Sequence, residues 1–209
     1  MKKTLIIPHF DTFNGFDGAA KADISEYVWD DSYCPKAEAK ILYTDDAFYI
    51  HLEAEEPADH LRMEKSPGIT DSACEDSCLE YFIMPCPETD KRYFNFEFTP
   101  KGALYAGFGH DRYDNKLLTD TDISIFGIHT NVEINEAKAV WYSEARIPFD
   151  FICETMQKDI VFVKGKTVFG NFYKCGDKCK EPHYGTWNPV GSDKPDYHLP
   201  EYFGKLMLG

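Results

Sequence analysis

Three short runs between Asp76 and Phe108 constrain this chain most. They read Asp76-Ser77-Cys78-Leu79-Glu80-Tyr81-Phe82-Ile83, Tyr93-Phe94-Asn95-Phe96-Glu97-Phe98 and Ala103 to Phe108. Side chains alternate faces along a strand, so Phe94, Phe96 and Phe98 share one side and Tyr93, Asn95 and Glu97 the other. In the first run Leu79, Tyr81 and Ile83 oppose Cys78, Glu80, Phe82 and Met84. Neighbouring strands then present Glu80 and Glu97 on faces that can coincide. The intervening Met84-Pro85-Cys86-Pro87-Glu88 and Thr99-Pro100-Lys101-Gly102 carry the Pro and Gly of chain reversals. The polar face has two readings: a ligand surface, or the solvated outer side of an antiparallel sheet.

The rest of the chain repeats this grammar. Leu5 to Pro8 predicts an opening strand, and Ala19 to Tyr27 either a helical turn or an irregular crossing segment. Ala39 to Thr44 and Phe48 to Glu55 form a hairpin about Asp45-Asp46. Ala58 to Ala73 and His110 to Asp122 are long polar connections, of a kind that is often functional. Ile123 to Ile134 and Ala137 to Ile147 predict another hairpin, with Trp141 on its core face. Phe151 to Gln157 is the one short helix, with Asp150 as its N-cap. Ile160 to Val163 and Thr167 to Cys175 are strands about Lys164-Gly165-Lys166, and Tyr202 to Leu208 is a closing strand after a Pro- and Gly-rich tail. Many short strands, one helix and no repeat or linker predict an all-β fold: a single antiparallel β-sandwich, jelly-roll-like, over residues 1–209.

A net charge of -14 and a pI near 4.8 argue against nucleic acid or an anionic membrane as partner. No stretch has the apolar length of a membrane span, and Pro8 interrupts the N-terminal apolar run, so a cytoplasmic location is expected unless a leader was removed. Seven cysteines in a chain of 209 residues predict reduced thiols. The Cys74/Cys78 and Cys175/Cys179 spacing lies at the edge of zinc patterns and is expected to reflect packing or unpaired thiols. Nucleophile elbow, phosphate loop, zinc-protease helix and dinucleotide fingerprint are all missing. His183 and His198 are expected to serve structural hydrogen bonds, and no His/Met spacing singles out a haem axial pair.

The central run with Gly102, together with Gly170-Asn171-Phe172-Tyr173-Lys174-Cys175, His183-Tyr184-Gly185-Thr186-Trp187-Asn188-Pro189, Pro195 to Gly204, Trp29 and Trp141 to Pro148, resembles the family 9 carbohydrate-binding modules and their stand-alone bacterial relatives. The resemblance implies a β-sandwich that binds a mono- or oligosaccharide without turning it over, with glucose or xylose units at chain ends as the expected ligand. It also implies an accessory role beside glycoside hydrolases in carbohydrate catabolism. By that resemblance Trp187 is the stacking platform. Glu80, Asn95, Glu97 and Arg112 supply hydrogen bonds, with Asn171, Tyr173 and Arg146 as second choices. A pyranose offers an apolar C–H face to an aromatic ring and hydroxyls to carboxylates, amides and guanidinium groups. The second tryptophan of the xylanase modules has no assigned counterpart; Trp29 and Tyr113 are candidates. Structural calcium is a further implication of the family, although no EF-hand-type loop is present. The alternative is a glycoside hydrolase using Glu80 and Glu97, with Glu144 a third carboxylate in view.

Overall fold

The computed structural model describes residues 2–209. Its strands are β1 (Thr4–Ile7), β2 (Ala20–Ile24), β3 (Lys36–Tyr43), β4 (Ala47–Pro57), β5 (Gly68–Ile69), β6 (Cys78–Met84), β7 (Tyr93–Phe98), β8 (Ala103–Gly109), β9 (Lys116–Leu117), β10 (His129–Ile134), β11 (Lys138–Pro148), β12 (Thr167–Cys175), β13 (Tyr184–Thr186) and β14 (Gly204–Leu208). One helix, α1, spans Phe149–Met156. The strands form two sheets, a nine-stranded one in the order β1-β14-β12-β6-β7-β8-β5, with β13 beside β12 and β9 beside β8, and a five-stranded one in the order β10-β11-β4-β3-β2. Pairing is antiparallel except for β1 with β14 and β5 with β8. The fold is the β-sandwich that the alternation predicts. Among the described residues no helix is long and apolar enough to cross a membrane.

The two sheets share one core. Tyr81, Ile83, Phe94, Phe96, Phe98 and Phe172 from the larger sheet meet Ile41, Phe48, Ile50, Leu52 and Trp141 from the smaller. Trp141 is core, as its alternation predicts, and its indole N–H donates to Glu56 Oε1 at 2.8 Å. The other face of the larger sheet is not solvated. The tail after β12 folds back over it and forms a second apolar cluster in which Tyr197 and Phe203 cover Phe82, Tyr93 and Tyr173. This is why Tyr93, Asn95 and Glu97 are all buried.

Local expectations hold unevenly. Ala19 to Tyr27 is neither of the two forms expected: Ala20–Ile24 is a strand on β3, with Ala22 and Ile24 inward and Lys21 and Asp23 outward. The first part of Ile123 to Ile134 is a single 3-10 turn capped by Asp122 and ended by Gly127 in the left-handed region. Residues 160–163 make no strand, because Phe162 stacks on Phe149 and meets Phe48 edge-on instead of entering a ladder. The N-cap of α1 is Pro148, and Asp150 lies inside the first turn, where its charge still opposes the positive helix end.

Candidate functional site

On the outer face of the larger sheet, register places Tyr173, Glu80, Glu97 and Tyr105 in one row across β12, β6, β7 and β8. The tail and the loop before β6 close over most of this face but leave a cavity of about 160 Å³ above the two glutamates. Glu80, Glu97 and Cys175 line it from the sheet, and Cys74, Arg112, Asp177, Tyr184, Asp196, Tyr197 and His198 from the covering segments. One wall is tied together by the backbone: Asp177 N–H donates to the carbonyl of Cys74 at 2.8 Å.

Its electrostatics are dominated by carboxylates removed from water. Burial, followed by repulsion from Glu97, raises Glu80 well above the usual carboxylate range. Glu97 is pushed up to about 7, again by burial first, although the Asn95 amide donates to its Oε1 at 3.0 Å and lowers it. At neutral pH the pair therefore holds at least one proton, as two close carboxylates in a low-dielectric site do. The cation facing them is Arg112, which lowers both glutamates and is fixed by Asp196 at 2.9 Å. Beside it His198 is lowered to about 4 by burial and then by the charge of Arg112, so it is neutral, and its Nδ1 shares a 2.7 Å hydrogen bond with the Tyr93 hydroxyl.

The aromatic side is built by the tail. Tyr197 stacks on Tyr173 with centroids 3.9 Å apart and donates to the carbonyls of Lys174 and Gly185. Trp29 packs edge-on to Tyr184 and tilted against Tyr197, and its indole N–H donates to Ser192 O at 2.7 Å. Trp29 thus backs the tyrosines that face the cavity.

Of the residues expected at the site, the structure brings together Glu80, Glu97 and Arg112, with Asn95 beneath them. Asn95 is fully buried above Gly107, where any Cβ would lie 2.4 Å from its Oδ1. The remaining four do not line the cavity. Trp187 is not a platform: it is 5% exposed in the sandwich core, edge-on to Phe172 and pressed so closely on Gly204 that a Cβ there would fall 2.5 Å from the ring. Asn171 clamps the tail, accepting from Asn188 N at 2.8 Å and donating to Asn188 O at 2.9 Å. Tyr173 is buried beneath Tyr197, donating to its carbonyl. Arg146 is on the smaller sheet, paired with Asp46 at 2.6 Å. Glu144 is also on that sheet, bound to His51 at 2.9 Å. His183 is a structural histidine, 2.7 Å from Lys174 Nζ. Tyr113, beside Arg112, is 94% exposed and does not line the cavity.

Sequence reasoning missed Tyr184, Asp177, Asp196 and Tyr197, and for His198 it favoured a structural hydrogen bond over ligation. The signal for them was present in the polar tail, whose Tyr, Asp and Pro density is unusual for a mere connection. Among the described residues, the only His, Cys, Asp or Glu group with ligand atoms converging within 4.8 Å is Cys78, Glu80 and Cys175. Two thiols do not suit calcium, which takes oxygen ligands, so that cluster does not fit the calcium expected from the resemblance.

The larger sheet thus carries a small open cavity lined by a buried acidic pair, one guanidinium and tyrosine side chains. The family model for carbohydrate-binding family 9 matches residues 10–208, and the chain belongs to that family. It resembles a crystal structure of a "putative carbohydrate-binding protein" from Bacteroides uniformis ATCC 8492, with 24% identity, complete coverage of both chains and a TM-score of 0.80. It also resembles a family 9 carbohydrate-binding module from Caldicellulosiruptor kristjanssonii in complex with glucose. There the identity is 11%, coverage is 99% of this chain and 96% of that one, and the TM-score is 0.64. For the cellotriose complex of such a module from that organism the values are 11%, 99%, 93% and 0.63. At these identities the likeness is one of fold. No curated protein matches the chain.

Proposed function

We propose that the protein binds a mono- or oligosaccharide, without turning it over, in the cavity above Glu80 and Glu97. The observation that carries this reading is the combination, in one small open space, of buried carboxylates, Arg112 and the half-buried ring of Tyr184. Glu80, Glu97, Asp196 and Arg112 would take the ring hydroxyls, and Tyr184 the apolar C–H face. A space of about 160 Å³ suits a terminal sugar ring and not the middle of a polymer, which supports glucose- or xylose-like chain ends as ligand. The unpaired state of all seven cysteines supports a reducing, cytoplasmic setting.

A second reading is a glycoside hydrolase, favoured by the raised carboxyls of Glu80 and Glu97, because perturbed acid pairs in clefts are what such catalysts use. Titration calorimetry with glucose, xylose, galactose and their β-linked disaccharides, run beside Tyr184→Ala and Arg112→Ala, decides between them. Saturable heat lost in both variants, with the sugar recovered intact, supports binding. Release of reducing ends that stops in Glu80→Gln or Glu97→Gln supports hydrolysis. No heat up to the millimolar range, where weak binding still registers, removes both.

A further inference from the structure

The floor of the cavity carries two thiols that sugar binding does not use, beside Glu80, which it does. Cys78 and Cys175 are opposed in register on β6 and β12, and Glu80, two residues along β6, is on the same face. Cys175 donates its S–H to Glu80 Oε1 at 2.9 Å. The three ligand atoms lie within 4.8 Å of one another. In a tetrahedral zinc site with Zn–S of about 2.3 Å the sulfurs sit about 3.7 Å apart, so small side-chain rotations are sufficient. The strands that hold the three positions are central in their sheet, which fixes the spacing without a flexible loop.

Two further observations point to a cation. Glu80 faces Glu97 directly across β6 and β7, and Asp177 lines the same cavity. The one facing guanidinium, Arg112, already pairs with Asp196. A dication would balance this gathering of carboxyl groups, which one guanidinium does not match. Glu80 and Cys175 also line the cavity, so an ion has a path in, and its fourth position would open on the same space. Two thiols and a carboxylate select a thiophilic ion over magnesium or calcium.

We propose that Cys78, Cys175 and Glu80 form a binding site for one zinc ion or a similarly thiophilic divalent cation at the cavity floor. Two S–Zn bonds and one O–Zn bond form as the two S–H protons and any carboxyl proton on Glu80 pass to solvent, so affinity rises with pH. The ion site shares Glu80 with the proposed sugar site, but Cys78 and Cys175 carry it whether or not a sugar binds above them.

The test is anaerobic titration of the reduced, desalted full chain with cobalt(II), read in the near-ultraviolet and visible, followed by displacement with zinc. The expected result is one cobalt per chain, a charge-transfer band of at least two thiolates, tetrahedral visible bands, and bleaching by one equivalent of zinc. Cys78→Ser and Cys175→Ser are expected to weaken binding by roughly 100-fold or more, beyond the 10–100-fold that supporting residues alone contribute. A Cys34→Ser/Cys86→Ser/Cys153→Ser variant is expected to keep the full spectrum. Cadmium NMR of the unmutated chain, giving one resonance in the range of mixed thiolate and oxygen ligation, guards against variants that fold poorly. A spectrum without thiolate charge transfer, or one that survives Cys78→Ser and Cys175→Ser but is lost in the triple variant, overturns the proposal. Because cobalt binding is read without sugar, its failure is distinguishable from failure of the saccharide reading.

Discussion

Glu80 and Glu97 are directly opposed residues on β6 and β7, and both side chains are buried. Like charges in this position destabilise an antiparallel pair, and burial adds to the cost of charging either one. The fold accepts the conflict at a place where it also leaves an opening.

The first prediction concerns pH. The carboxyl of Glu97 rises from an ordinary value of 4.5 to about 7 in the folded chain, so between these values the folded state binds more protons than the unfolded one. Its contribution to stability is therefore greatest below pH 4.5 and is lost as pH rises through about 7, an effect of about 3 kcal/mol for an isolated group. Glu80 shifts in the same direction. Urea midpoints from pH 5 to 8 are expected to fall more steeply for the unmutated chain than for Glu97→Gln; parallel curves would show that the pair does not share a proton.

Two aromatic substitutions separate packing from recognition. Trp187→Ala empties a core position and is expected to lower stability by about 3–5 kcal/mol. Gly204→Ala, which drives a methyl into the same indole, costs about 1–3 kcal/mol. Tyr184→Ala removes a half-buried ring at the cavity wall, and is expected to cost little stability while abolishing measurable sugar binding. Thermal unfolding and calorimetry on the three variants check this; selective loss of sugar binding in a stable Trp187→Ala would reverse the assignment.

The ion pair of Arg112 with Asp196 is expected to matter more for ligand than for stability. Both groups are partly exposed, and such pairs contribute about 0–1 kcal/mol to folding. Asp196→Asn frees the guanidinium from its anchor and is expected to weaken sugar binding about tenfold, equivalent to about 1.4 kcal/mol. Arg112→Lys is expected to weaken it at least as much, because the planar fork is lost. Stability changes above about 1 kcal/mol in either variant would argue for a structural role instead.

Away from the cavity, Lys174 is fully buried with Glu56 at 3.7 Å and His183 at 2.7 Å. Glu56 also accepts from Ser77 Oγ and Trp141 Nε1. Lys174→Met strands a buried carboxylate and is expected to cost about 3–5 kcal/mol, whereas Lys174→Met with Glu56→Gln is expected to regain much of the loss. A double-mutant cycle in urea measures the coupling; additive losses would show that the two charges are independent.

The sequence by itself determined the sandwich, because period-two alternation admits one burial solution and a slip of one residue would turn every Phe of β7 outward. It also placed Glu80 and Glu97 on one face, and Trp141 in the core. It misplaced Trp187, since a tryptophan in a polar, Pro-rich segment looks exposed, and nothing local reveals that Asn171 and Gly204 draw it inward. The functional face was hidden for a related reason. Whether Tyr93, Asn95 and Glu97 meet water, a ligand or more protein depends on where the tail after Cys175 comes to rest, and that is fixed by contacts such as Tyr197 on Tyr173 between residues 24 positions apart. The two cysteine motifs show the same limit: each Cys-x-x-x-Cys spacing is uninformative alone, yet strand register sets Cys78 against Cys175, 97 positions away. Local patterns decide which way a side chain points; only the closed tertiary structure decides what it meets there.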